Sequence, residues 1–315
     1  MPIFRINAVD DTPVHASGAG LSEGLQDTLA ATAPGAPIVV MIHGYKYKPA
    51  DPLRCPHGSI FAQSPTTKPR RCLSWPRAMG FSDNAAADGL CIALGWDAAG
   101  TIWQAARSAE RAAVALGQVL ALVADHTDRP AQVLAHSLGA RVALGALGHT
   151  TAGSVGRMVL LHGAEFRSRA RAALACPAGQ TAEVVNVTTR ENDLFDGLFR
   201  GFVAPHRPLD PAVSAGLGTR RTNWLDMRID DPATRAALKG FGFDIPAPVG
   251  RVCHWSAYMR AGMFDLHRAL LRAPETLPLP LLSSVLPDGA RRGLLDRTFA
   301  RADLAHLPRP THMPS

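Results

Sequence analysis

Several features that would mark a location or a cross-linked fold are missing from this sequence. No apolar run reaches the roughly 20 residues that a membrane-spanning helix needs. The first ten residues lack the basic start and long apolar stretch of a secretory signal. The five cysteines are odd in number and form no C-x-x-C pair, so neither a disulfide framework nor a zinc site is indicated. We therefore expect a cytoplasmic protein with reduced cysteines and no integral membrane segment.

The motifs of nucleotide and metal binding are also missing. The P-loop pattern G-x-x-x-x-G-K-[ST] does not occur, and the glycines of segment 18–24 do not have the spacing of a dinucleotide fingerprint. No H-E-x-x-H is present, and the spacing of Cys55, His57 and Cys72 is not typical of a metal site. We expect no cofactor and no bound metal.

Lysine is scarce, although the chain is basic. Lysine and arginine together number 33 against 26 acidic residues, which gives a formal net charge of +7, and only four of the 33 are lysines. The arginines are scattered along the chain, whereas a nucleic-acid-binding protein concentrates them on one helix or stripe. We therefore expect no nucleic-acid partner. The basic segment 46–89 could still make weak contact with a membrane surface.

The apolar segments alternate between two periods along most of the chain. Continuous apolar runs of strand length are followed by segments with helical spacing, which predicts βαβ units and a mostly parallel sheet with helices on both faces. The predicted strands are 3–9, 37–42, 90–96, 131–135, 157–161, 182–188 and 223–229, and the predicted helices include 21–31, 102–124, 138–148, 166–175 and 257–272.

The strand spacing indicates one domain over residues 1–273. Segment 46–89 has six prolines and little periodicity, and it lies between two good strand candidates. A segment of this length without clear elements is usually functional, so we expect an insertion that could act as a cap or lid. Residues 274–315 are predicted to form a tail rich in proline and arginine.

A single serine stands where a predicted strand turns into a predicted helix. The run Ala135-His136-Ser137-Leu138-Gly139 has small residues two before and two after the serine, as a strained turn requires. It resembles the nucleophile elbow G-x-S-x-G of the α/β-hydrolase superfamily, with alanine in place of the first glycine. The resemblance implies that Ser137 is the nucleophile. The alternative is an ordinary serine at a helix N-terminus.

An earlier strand, 37–42, ends in His43-Gly44-Tyr45. This segment resembles the His-Gly loop of lipases and esterases, which supplies one oxyanion-hole amide, while the residue after the nucleophile supplies the other. The resemblance implies that the donors are the backbone amides of Tyr45 and Leu138. It also implies that His43 orders the loop and has no chemical role.

In this family the acid follows the serine, and the histidine follows the acid. The predicted strand 182–188 leads into an acidic loop. In this loop, Asp193 has the position that resembles the place of the acid in the α/β-hydrolase family. Asp196 is the second choice and Glu191 the third. Glu165, on the loop of the preceding strand, is a further alternative.

Five histidines follow the predicted acid. His254 lies on a loop just before the predicted closing helix, where the family places its general base. The other four are less suitable because one precedes the last strand, one lies inside an amphipathic helix and two lie in the tail: His206, His267, His306 and His312.

These resemblances imply an α/β-hydrolase fold, with the insertion after the oxyanion-loop strand, and a serine esterase or lipase-like activity without a cofactor. The segment Leu94-Gly95-Trp96-Asp97 is also similar to uncharacterised bacterial members of the superfamily. Ser137, Asp193 and His254 would cleave a small-molecule acyl substrate through an acyl-enzyme. Two alternatives remain: a thioesterase or acyltransferase with the same triad, and a non-catalytic binding protein on this fold.

Overall fold

The structure is a computed structural model that describes residues 3–65, 72–81, 88–203 and 209–289. Several predictions fall outside the described residues. They are residues 66–71 and 82–87 of the insertion, residues 290–315 of the tail, and the alternative bases His206, His306 and His312.

The described residues form one eight-stranded sheet, in the order β2-β1-β4-β3-β5-β6-β7-β8. Only the β1–β2 pair is antiparallel among these strands, so the prediction of an α/β protein with a mostly parallel sheet is confirmed. The strands are β1 (Ile3–Val9), β2 (Thr12–His15), β3 (Ile38–Ile42), β4 (Leu90–Trp96), β5 (Ala131–His136), β6 (Val155–Leu161), β7 (Glu183–Thr188) and β8 (Trp224–Arg228).

Helices connect the strands and cover both faces of the sheet. They are α1 (Leu21–Ala30), α2 (Trp75–Ala78), α3 (Ile102–His126), α4 (Gly139–Ala146), α5 (Arg167–Ala173), α6 (Pro177–Thr181), α7 (Asp193–Phe202), α8 (Pro232–Gly240), α9 (Ser256–Met259), α10 (Met263–Arg272) and α11 (Leu279–Val285). Among the described residues, no helix is long and apolar enough to cross a membrane.

Strand β3 shows why its sequence is apolar throughout. Ile38, Val40 and Ile42 pack into one buried cluster, whereas Val39 and Met41 pack into a second cluster on the opposite face. Successive side chains of a strand point to opposite faces, so a strand covered on both sides must be apolar at every position. The first cluster includes residues of α1, α3 and α4, and the second includes residues of α2, α10 and α11.

The buried core includes residues of both the insertion and the segment predicted as a tail. Phe61 and Trp75 of the insertion have no exposed surface. In the tail, Leu279 and Leu282 of α11 are equally buried. The described parts of both segments are therefore packed against the second face of the sheet, and the packed region continues past residue 273.

The predicted closing helix 257–272 is two helices, α9 and α10. They are separated at Gly262, which has a φ of +77°. A Cβ there would lie 2.9 Å from the Asp244 carbonyl oxygen, so both the backbone conformation and the space favour glycine.

Candidate active site

The carboxyl ends of four neighbouring strands bring the predicted site residues to one edge of the sheet. Strands β3, β5, β6 and β7 are adjacent and parallel, and they end at Ile42, His136, Leu161 and Thr188. The chain order reverses between β3 and β5, because β3 leads to β4 on one side and β4 leads to β5 on the other. A ligand of an open α/β sheet binds in the crevice at such a point.

Ser137 occupies a strained turn between β5 and α4. Its φ is +54°, a left-handed conformation that costs an L-residue about 1–2 kcal/mol. The turn is fixed from both sides, because the Ser137 amide donates to the Leu161 carbonyl at 3.0 Å and the Ala164 amide donates to the Ser137 carbonyl at 2.9 Å. The local context that the elbow motif requires, a strand, a left-handed serine and a helix, is present.

Two glycines let the β3 loop approach this turn closely. A Cβ on Gly44 would lie 2.8 Å from the Ser137 Cβ, and a Cβ on Gly139 would lie 2.6 Å from the His43 carbonyl oxygen. Real Cβ atoms do not reach such distances. The small residues in the two motifs therefore serve one purpose, which is to bring the His43-Gly44 loop into contact with the serine turn.

His43 holds this loop against β4. Its Nε2 accepts a hydrogen bond from the Trp96 amide at 3.1 Å, and its carbonyl accepts from Trp96 Nε1 at 3.1 Å. The two rings are stacked with centroids 5.4 Å apart. Complete burial lowers the pKa of His43 to about 3, so the ring is neutral. Through these contacts His43 fixes the loop against β4.

The backbone amides of Tyr45 and Leu138 are the predicted oxyanion donors. Within the described ranges, neither amide donates a hydrogen bond to another group of the protein. Leu138 is the N-cap residue of α4, where the helix dipole favours negative charge. The Tyr45 side chain takes no part in this arrangement of amides, because its hydroxyl donates to the Gly100 carbonyl at 2.7 Å.

The imidazole ring of His254 contacts three side chains. Its Nδ1 donates to Oδ1 of Asn192 at 2.6 Å. The ring stacks on Phe195 with centroids 4.5 Å apart and contacts the ring of His136 at 4.7 Å. Desolvation lowers the pKa of His254 well below its usual value, and the neighbouring imidazoles of His136 and His162 lower it further. The ring is therefore neutral near pH 7, with its proton on Nδ1 and a lone pair on Nε2.

Two other histidines fix the backbone of His254. His136 Nε2 and His162 Nδ1 each donate to the His254 carbonyl oxygen, both at 3.0 Å. His162 follows β6 and has a φ of +49°, a second strained residue at this edge of the sheet. The Cys253 amide donates to the Glu191 carbonyl at 2.8 Å. The His254 loop is thus tied to the ends of three strands.

Among the described residues, these three histidines form the cluster that could hold a metal ion. Nitrogen atoms of His136, His162 and His254 lie within 4.8 Å of one another. Neutral imidazoles suit a transition metal such as zinc. However, His136 and His162 already donate to the His254 carbonyl, so the present arrangement satisfies them as hydrogen-bond donors.

The predicted acid and the observed partner of His254 differ by one residue. Asn192 is buried and contacts His254, whereas Asp193 is the exposed first residue of α7. One step along a helical turn rotates the side chain by about 100°, so neighbouring residues cannot both face the ring. Asp196, the second choice, contacts the site indirectly, because its Oδ1 accepts from Asn192 Nδ2 at 2.8 Å.

The two remaining acidic alternatives form ion pairs elsewhere. Glu191 is paired with Arg260, and both side chains are almost fully buried. Glu165 is paired with Arg141 at 3.0 Å and with Arg169 at 3.2 Å. Burial raises the pKa of Glu165, and its arginine partners oppose that rise. These contacts assign both carboxylates to structural ion pairs.

The alternative base within the described residues, His267, has a structural contact. It lies in α10 with no exposed surface, and its Nε2 donates to the Ala257 carbonyl at 2.7 Å. Burial lowers its pKa to about 4. His267 therefore joins α9 to α10, as expected for a histidine on the inner face of an amphipathic helix.

The turn of Ser137 and the loop of His254 are joined through His136. His136, which precedes Ser137, contacts the ring and the carbonyl of His254. Across the described part of the chain, the Ser137 hydroxyl donates no hydrogen bond to His254. Catalytic hydrogen bonds are often long before substrate binds and tighten in the complex, so the arrangement is compatible with a serine–histidine pair.

Two residues of the site were missed at the sequence level: Asn192 and His162. Only His162 carried a usable signal, because a strand followed by His-Gly occurs twice, at His43-Gly44 and at His162-Gly163. Asn192 stands beside the acidic residues that were considered, but its amide was not weighed as a partner for the histidine.

Comparison with models of known protein families and with curated proteins finds no match to this chain. The fold and the geometry of the site are therefore the grounds on which a function can be argued.

Proposed function

We propose that this protein is a serine hydrolase of the α/β-hydrolase type that cleaves an ester or related acyl bond. The observation that carries the proposal is the conformation of Ser137, a left-handed serine at a strand-to-helix corner. Such strain persists where the surroundings enforce it, and it is concentrated at functional sites. Gly44 and the loop of His254 meet at the same corner.

The proposed reaction gives each of these groups one role. His254 Nε2 accepts the proton of the Ser137 hydroxyl as its oxygen bonds to the carbonyl carbon of the substrate. The amides of Tyr45 and Leu138 stabilise the resulting oxyanion. The tetrahedral intermediate expels the alcohol, which takes the proton from His254, and leaves an acyl-enzyme. Water then attacks the acyl-enzyme by the same steps and releases the acid.

A fluorophosphonate probe tests the nucleophile directly, since it reacts with activated serines. We expect the wild type to be labelled and Ser137→Ala to be unlabelled. Ser17→Ala is the matched control, because the Ser17 hydroxyl lies 2.7 Å from His15 Nδ1 on the surface, outside any strained turn. Equal labelling of wild type and Ser137→Ala would remove Ser137 as the nucleophile.

The role of His254 has a separate test. His254→Ala should lose turnover of short-chain p-nitrophenyl esters on the order of 100-fold or more, since a positioned general base contributes about that factor. His267→Ala is the matched control, because this histidine also donates a hydrogen bond within the protein but lies in α10. Retained turnover in folded His254→Ala would point to another base.

A binding protein without catalysis is the second candidate, and one observation favours it. The group on His254 Nδ1 is the neutral amide of Asn192, where a triad has a carboxylate. A carboxylate stabilises the imidazolium that forms during catalysis, and an amide does so less. This candidate predicts that the probe labels no serine of the folded wild type.

A further inference from the structure

We propose that Asn192, held by Asp196, is the residue that positions His254 as the general base, in the place where a triad has its acid. The inference rests on the proposed function. An amide that is held by a carboxylate positions the imidazole of His254. Asn192 and Asp196 are positioning residues, because both act through His254.

The contacts form a continuous chain. Asp196 Oδ1 accepts from Asn192 Nδ2 at 2.8 Å, which fixes the orientation of the amide. Because the amide nitrogen donates to Asp196, Oδ1 of Asn192 faces the histidine and accepts a hydrogen bond from His254 Nδ1 at 2.6 Å. An oxygen at this position permits only the tautomer with the proton on Nδ1. Nε2 is therefore left unprotonated, as the base requires.

One turn of chain supplies both the hydrogen-bond acceptor of the ring and an aromatic ring that stacks on it. Asn192 is the N-cap residue of α7, and Asp196 lies four residues later, on the same face of the helix. Phe195, between them, stacks on the imidazole with an interplanar angle of 26°. The helix thus fixes both the hydrogen bond and the plane of His254.

An amide and a carboxylate at this position have different electrostatic effects. An opposite charge within hydrogen-bond distance raises the pKa of a histidine by about 1–3 units, whereas an amide adds no net charge. In the wild type the carboxylate of Asp196 is one residue removed from the ring. Exchanging the two residues would place the carboxylate beside His254 Nδ1 without changing the net charge of the protein.

The other titratable groups around His254 must be unchanged for this comparison. His136 at the end of β5 and His162 after β6 face it, and burial lowers the pKa of His136 to about 4. Cys253 precedes it on the same loop. On the acidic loop, Glu191 is paired with Arg260. The exchange alters none of these groups, so a shift in the pKa of His254 reports the new charge.

The experiment measures the tautomer and pKa of His254 by nitrogen-15 NMR in the full chain, with His254→Gln used to assign the resonance. For the exchanged variant Asn192→Asp/Asp196→Asn, we expect the pKa of His254 to rise by about 1–3 units. The acidic limb of the pH–rate profile should move by the same amount. Asn192→Ala should reduce the Nδ1–H tautomer and lower kcat with little change in KM.

Three results would overturn the inference. The first is an unchanged pKa of His254 in the folded exchanged variant. The second is an unchanged tautomer of His254 in Asn192→Ala. The third is a change in the pKa of His254 and in the pH–rate profile on Asp193→Asn, with no such change on Asn192→Ala. If the exchanged variant does not fold, the tautomer measurement on Asn192→Ala decides. Because the NMR readout needs no turnover, failure of the proposed function, seen as absent probe labelling, is distinguished from failure of this inference.

Discussion

Substitution of Gly44 by alanine tests whether the contact between the β3 loop and the serine turn is needed for activity. The added Cβ would lie 2.8 Å from the Ser137 Cβ and 3.0 Å from the His136 carbonyl oxygen. Carbon atoms in contact prefer at least about 3.5 Å, so the loop and the turn must separate by roughly 0.7 Å. Both neighbours belong to the turn itself, and neither is the flexible end of a side chain.

This displacement would move the Tyr45 amide relative to the serine. A misplacement of about 1 Å at a reacting centre can cost around 100-fold in rate. We therefore expect Gly44→Ala to reduce the rate of fluorophosphonate labelling by about 10- to 100-fold, which is roughly 1.4–2.7 kcal/mol in activation free energy. The loss of stability should be about 1–3 kcal/mol, as for other overpacked sites.

The assay compares labelling rates of the purified, folded proteins, with urea unfolding measured in parallel. Gly148→Ala is the matched control, because a Cβ there meets no atom within 4 Å. If Gly44→Ala and Gly148→Ala are labelled at the same rate, the loop does not position an oxyanion donor. A large loss of stability with an unchanged labelling rate would make the contact structural only.

Three further predictions concern stability. Gly139→Ala should destabilise the fold by about 1–3 kcal/mol in urea unfolding, because its Cβ would lie 2.6 Å from the His43 carbonyl oxygen; a neutral effect would contradict the close approach. Ser137→Gly should be about 1 kcal/mol more stable than Ser137→Ala, because glycine adopts the φ of +54° without strain, and equal stabilities would refute this. Burial lowers the pKa of His267 from 6.5 to about 4, so its contribution to stability is present above pH 6.5 and lost as pH falls toward 4, by about 1.4 kcal/mol per pH unit. His267→Gln should therefore lose less stability than the wild type between pH 7 and pH 5, and an identical loss would contradict the assignment.

The sequence determined the sheet and the serine turn because both depend on local patterns. A strand buried on both faces must be apolar at every position, which made β3 and β4 recognisable. A left-handed serine against a neighbouring loop needs small residues at fixed spacing, and Gly44 and Gly139 are present for that reason. Such constraints act over a few residues and can be read from the chain alone.

Only the tertiary structure decided which side chain faces His254. Asn192, Asp193 and Asp196 lie within five residues, and all are polar residues that can accept a hydrogen bond. The start of α7 determines which of them points at the imidazole, and the residue types of this segment do not fix where the helix starts. The second histidine on the His254 carbonyl, His162, comes from a strand 92 residues away in sequence. The direction of a side chain and a contact across the sheet are set by packing, and residue types alone do not specify either.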